Sequence, residues 1–112
     1  MVKILIRRTD RQGDIKVKGH AGGLNENGSD IVCAGVSTIT TLFAQVLEDN
    51  PAIFVSQISL QSGDTRIKYE IHPGSEKEAN TVIDTVLTGY YLLANTRPDC
   101  VYIRPQGERK KT

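Results

Sequence analysis

The chain has 112 residues, 14 of them basic and 13 acidic, for a net charge of +1. That is the length of one ordinary domain, able to bury a core without disulfide staples. The near-neutral balance argues against a strongly electrostatic partner such as bulk DNA or an anionic membrane, while leaving room for a local basic patch. In the sequence, no apolar run approaches the roughly 20 residues of a membrane span. The N-terminus, MVKILIRRTD, lacks the apolar stretch and cleavage site of a signal peptide, so a cytoplasmic location is expected. Two cysteines, Cys33 and Cys100, are too few for a disulfide framework.

Val2, Ile4 and Ile6 alternate with Lys3, Leu5 and Arg7, which predicts a strand. TDRQGD has turn composition, with Gly13 free to take a positive φ, and DIKVKG alternates again. Residues 2–19 therefore read as an antiparallel hairpin ending at His20. After a polar loop, apolar residues recur at three and four between Ile31 and Leu47: Val32, Val36, Ile39, Phe43 and Val46, with Leu42 and Leu47 widening the stripe. Asp30 is the expected N-cap and Ser29 the alternative, and Asn50-Pro51 stops the helix.

Ile53–Leu60 and Thr65–Ile71 read as a second hairpin, joined by QSGD with Gly63 at the tight point. Ser75 and Glu78 stand at capping-box spacing before a second helix, whose apolar side runs from Ala79 through Val82, Ile83, Val86, Leu87, Tyr90 and Leu93 to Ala94. CVYIR predicts a last short strand. The expected architecture is α+β, two helices packed on an antiparallel or mixed sheet in the order ββαββαβ. Residues 1–106 form one domain in this reading, and 107–112 a polar, disordered tail.

One constellation carries chemistry. His20 ends a strand, and Cys33 falls in what reads as the first turn of a helix, where unpaired N–H groups and the positive end of the dipole favour a thiolate. The same N–H groups can hold an oxyanion, so nucleophile, base and oxyanion hole fall within one strand–loop–helix unit. Asp30 either orients the imidazole or only caps the helix. Ser37, one turn on from Cys33, either reaches the site or bonds back into the helix. The loop between holds Gly22, Gly23 and Gly28 and one large apolar residue, Leu24, as a substrate lid would, or as an ordinary connection would.

The bland readings are that Cys33 is a small core hydrophobe and His20 a surface residue. Gly35 suits close packing against a neighbouring element. A metal site from His20, Cys33, His72 and Cys100 lacks paired ligand spacing. Gly19 to Gly22 matches the G-x-x-G of RNA-binding KH loops but follows a strand rather than a helix. Cys100 reads as core and His72 as part of a turn.

Gly-His-Ala at 19–21, the glycine-rich loop and DIVCAGVS at 30–37 together resemble the bacterial ribosomal-processing cysteine protease family called Prp. Gly35 stands where that family often has alanine. The resemblance implies a homodimeric endopeptidase that trims the N-terminal extension of large-subunit ribosomal protein number twenty-seven, after a hydrophobic, phenylalanine-containing segment. It places catalysis on His20 and Cys33, supporting roles on Asp30, Ser37 and Gly19, and substrate-responsive movement on residues 21–29. No metal, organic cofactor or nucleic acid is required for that reaction.

Two other readings compete. One is a non-catalytic ribosome-associated or RNA-binding module, resting on Lys3, Arg7, Arg8, Lys16, Lys18 and the Arg109–Lys111 tail, with Cys33 in the core and the glycine loop meeting phosphate at the helix start. Near-neutral charge and few aromatic residues weigh against it. The other is a dimeric structural domain without a reaction.

Overall fold

Period-two alternation, repeated in four of five strands, decides the architecture. In the computed structural model, which describes residues 1–20 and 28–107, the elements are β1 (Val2–Arg8), β2 (Gln12–Lys18), α1 (Ser29–Asp49), β3 (Ile53–Gln61), β4 (Asp64–Ile71), α2 (Glu76–Thr96) and β5 (Val101–Gly107). They form one mixed sheet in the order β3-β4-β2-β1-β5, antiparallel except where β5 runs parallel to β1. The expected α+β order is observed. Ile4, Ile15, Ile67 and Tyr69 lie on one sheet face, each at most 1% exposed. Both helices cover that face, α1 toward β3 and α2 toward β5.

Val32, Val36, Phe43 and Leu47 of α1, with Ala79, Ile83, Leu87 and Tyr90 of α2, complete the core. The helices approach closely because glycines stand at their crossing. A Cβ at Gly35 would lie 3.2 Å from Leu93, and one at Gly89 would lie 2.9 Å from Ile39. By length and composition Asp30–Asp49 is apolar enough to cross a membrane, contrary to the sequence expectation, since threonine and glycine scarcely dilute its aliphatic residues. In this fold its Val32, Val36, Phe43, Ala44 and Leu47 are buried against protein.

Several local expectations need correction. Leu42 and Val82 are exposed, while Thr40 and Asn80 take buried positions. Thr40 is satisfied there by the Val36 carbonyl and the Tyr90 hydroxyl. Burial pushes the Tyr90 phenol up to about 12. Arg8 belongs to no exposed basic row. It turns into the protein, donating to Tyr69 Oη (3.1 Å), Asp84 Oδ1 (2.6 Å) and Asn80 Oδ1 (3.0 Å). Asn80 in turn donates to the Asp10 carbonyl at 2.8 Å, so every strongly polar group of this buried end has a partner.

The N-cap of α1 is Gly28 (φ 82°), rather than Asp30 or Ser29, because both of those residues are already helical. Ser75 caps α2 without a side-chain bond, and Gly74 N–H donates to Glu76 Oε1 (2.6 Å), so the expected box with Glu78 does not form. Strand β5 runs to Gly107 and includes Pro105, which an edge strand tolerates. The tail beyond residue 107 lies outside the described residues.

Gly13 sits within β2, not in the turn, and is not among the positive-φ glycines. Its lack of a side chain serves Tyr69, whose ring occupies the space a Cβ would need. That ring is held by Arg8 and by an edge contact with Phe43 at 6.1 Å. Gly13→Ala is therefore expected to overpack the site and lower unfolding free energy by roughly 2 kcal/mol. Urea denaturation should show a lower midpoint at unchanged slope, and an unaltered midpoint would contradict this packing.

Candidate active site

The hairpin β1–β2 ends where the β3–β4 turn begins, and the N-terminal half of α1 passes over both. A cleft of about 260 Å³ opens there. Val2 and Val17, both buried, form its apolar base. One wall is a single face of α1, since Cys33, Val36, Ser37, Thr40 and Thr41 recur at helical spacing. The facing wall is Leu60 to Gly63 with Thr65, and Gly19 and His20 complete the lining. Among the described lining residues none is aspartate, glutamate, lysine or arginine.

Cys33 is half-buried and packs against the core while facing this cleft. It stands five residues after Gly28, so it begins the second turn rather than the first. The Val32 N–H already bonds the Gly28 carbonyl (3.1 Å), and residues 29–31 hold the N–H groups that precede this first intrahelical donor. Side chains on a helix tilt toward its N-terminus, which carries the sulfur back over that turn.

His20 is exposed and is positioned by two glycines. Gly19 takes φ 93°, a conformation that a side chain would strain, and its N–H donates to the Gly63 carbonyl at 2.9 Å. This bond fastens the end of β2 to the β3–β4 turn. Gly63, at φ 75°, lies beneath the imidazole: a Cβ there would be 2.7 Å from His20 Nε2 and 3.1 Å from Cε1.

The structure thus gathers His20, Cys33, Ser37 and Gly19 around one cavity. Asp30 is exposed in the first turn of α1 and is not among the cleft's lining residues. Gly28 is the helix cap. Gly22, Gly23 and Leu24 lie outside the described residues. The wall formed by Leu60, Gln61, Ser62 and Thr65 was not apparent in the sequence, because forty residues separate it from His20 and only the sheet order brings it near. Its one local hint is Leu60, a strand leucine that stays 51% exposed.

Cys100 occupies a different environment. It is fully buried, its sulfur accepts from Arg97 Nη2 at 3.2 Å, and it is outside any disulfide, as is Cys33. The Arg97 guanidinium, bonded twice to Asp99, holds that carboxyl down at about 2. His72 is exposed in the turn before α2, at the opposite end of β4 from Asp64. No group of three histidine, cysteine, aspartate or glutamate side chains suited to a metal is found among the described residues.

A half-buried thiol and an imidazole lining one cavity, with no carboxylate, lysine or arginine among its described lining residues, suit nucleophilic attack on an uncharged acyl group better than recognition of a polyanion. Comparison with known proteins agrees. No protein among curated sequences matches the chain. SMU.848 from Streptococcus mutans superposes with a TM-score of 0.71 at 26% identity, covering 96% of each chain. The ribosomal processing protease Prp from S. aureus, in complex with a substrate peptide, gives a TM-score of 0.74 at 19% identity over 95% of this chain and 100% of that one. The same enzyme with a covalently linked product peptide gives 0.74 at 20% identity, with the same coverage. The family model described as cysteine protease Prp matches residues 1–102, and the chain belongs to that family of cysteine proteases.

Proposed function

We propose that this cysteine protease removes the N-terminal extension of a bacterial large-subunit ribosomal protein, number twenty-seven, using Cys33 as nucleophile and His20 as general base and acid. The observation that carries this reading is the shared cleft lined by both side chains, whose described lining holds no carboxylate, lysine or arginine. The S. aureus relative, a ribosomal processing protease seen with a substrate peptide and with a covalently linked product peptide, supports both the substrate class and a covalent route.

In the proposed reaction His20 accepts the Cys33 proton and the sulfur attacks the scissile carbonyl. N–H groups of the first turn of α1, beneath the sulfur, receive the developing oxyanion. His20 then protonates the leaving amine, and water clears the acyl-enzyme. Val2, Val17, Val36 and Leu60 give the cleft an apolar lining suited to a hydrophobic segment beside the scissile bond. Ser37 and Gly19 act in support, Gly19 by anchoring the strand end that carries His20. Asp30 is left with the weaker role of placing negative charge at the start of α1. The reading further holds that the enzyme works in the cytoplasm as a homodimer and needs no cofactor. The exposed Ile31, Leu42 and Leu92 supply apolar area for a second copy.

Cys33→Ala and Cys33→Ser are each expected to abolish cleavage of the ribosomal precursor while far-ultraviolet circular dichroism is retained. Cleavage by Cys33→Ala at the normal rate would refute the assignment. A second experiment addresses placement of the base. Gly63→Ala puts a methyl group where the imidazole rests, so turnover should fall on the order of 10²-fold, as for other small displacements of a catalytic group. The positive φ adds about 1 kcal/mol of destabilisation, to be measured separately by urea denaturation. Unchanged turnover in a folded Gly63→Ala variant would show that His20 acts from another position.

A further inference from the structure

The sheet has a second face, and among the described residues no helix covers it. On this face Lys3 stands directly opposite Lys18, and Lys16 directly opposite Arg66. Arg7, Lys68 and Arg104 occupy the neighbouring positions of the same face. Among the described residues the carboxylates there are Asp14, Asp64 and Glu70, so seven cations meet three anions on a chain whose net charge is only +1. Like charges in direct cross-strand register destabilise a sheet, so two such pairs are not what solvation of a polar face alone requires.

Two of the cations are neutralised locally: Arg66 bonds Asp14 at 2.8 Å, and Lys18 lies 3.4 Å from Asp64. The Arg66 hydrogen bond holds the Asp14 carboxyl below its ordinary value, with Lys16 and Lys68 adding to the effect. Within the described residues, Lys3, Arg7, Lys16, Lys68 and Arg104 have no ion-pair partner. An aromatic ring stands on each edge strand of this face. Tyr102 is opposite Lys3 and 50% exposed, and Phe54 is opposite Glu70 and 65% exposed.

We propose that this open face is a docking surface for single-stranded RNA. Cations about 5 Å apart between strands and about 7 Å apart along one form a flat grid that can follow a phosphate backbone. Exposed rings at the margins offer stacking for unpaired bases, a feature that an acidic peptide or a lipid headgroup has no use for. The face lies across the sheet from the cleft, and the proposal does not rest on the protease reading. The buried inward turn of Arg8 removes it from the set, whereas Arg66, Lys68 and Arg104 join it.

The test is fluorescence anisotropy of a labelled twelve-nucleotide oligouridylate with the full chain, across a salt series starting near about 50 mM. Saturable binding that weakens as salt rises is expected. Joint Lys3→Gln, Lys16→Gln and Arg104→Gln substitution should lower affinity at least about tenfold and flatten the log–log salt slope by about 2. Tyr102→Ala should lower affinity by about tenfold through lost stacking, with the salt slope retained. Peptide cleavage by the triple variant should stay at the wild-type rate, since none of its three positions lines the cleft. Absence of saturable binding at low salt, or an unchanged affinity in the triple variant, would overturn the proposal. So would polyglutamate binding as tightly through the same residues, because that would make the partner an acidic peptide.

Discussion

The close approach of α1 and α2 at Gly35 and Gly89 is the constraint from which the rest of the molecule follows. Leu93 and Ile39 fill the space that side chains at those positions would take. Drawn together in this way, the helices bury the apolar strand face while α1 remains on the β3 side. Its N-terminal half then passes over the end of β2 and the turn beyond β3. The cleft is the space left between that helix face and the strand ends, and Leu60 remains partly exposed on its wall.

The two ends of the sheet are treated differently. At the Arg8 end, a guanidinium is surrounded by Tyr69, Asn80 and Asp84, and the polar groups are spent on one another. Breaking such a buried set would strand a charge, so this end is rigidly specified. At the other end, the described polar side chains are hydroxyls, an amide, a thiol and an imidazole around an open space, set by glycine turns, and the one ion pair beside them, Lys18–Asp64, lies exposed outside the cleft. The proposed chemistry sits at the second end, where the side chains line a cavity. The sheet's outer surface makes a third region, basic and edged by aromatic rings, separated from the cleft by the thickness of the sheet.

Much of this was legible in the sequence, because it depends on local periodicity. Alternation through Ile15 and Val17, or through Ile67, Tyr69 and Ile71, states which face is buried without reference to any other segment. The Gly63 turn, the stop at Asn50-Pro51 and the core position of Cys100 are local in the same sense. The errors arose where a residue's role is set at a distance. Gly13 has turn composition around it, but Tyr69, fifty-six positions away, requires the missing side chain. Asp30 suits a cap by type, yet the left-handed Gly28 starts the helix earlier and moves Cys33 into the second turn. Arg8 reads as one of a basic row until Asp84 draws it inward. For the cleft, local sequence singled out Gly19, His20, Cys33 and Ser37, which line it, whereas the facing wall depends on strand order, which no single segment encodes.

The central claim is that a thiol on the second turn of α1, and no other group, forms the covalent link to the peptide. Acid quenching of the wild-type enzyme during turnover of a precursor peptide, followed by intact-mass and proteolytic-fragment mass spectrometry, reads that link directly. The account predicts an adduct equal in mass to the acyl half of the substrate, located on the fragment containing Cys33 and absent after Cys33→Ser. An adduct on Cys100, or steady cleavage in Cys33→Ser protein, would contradict it.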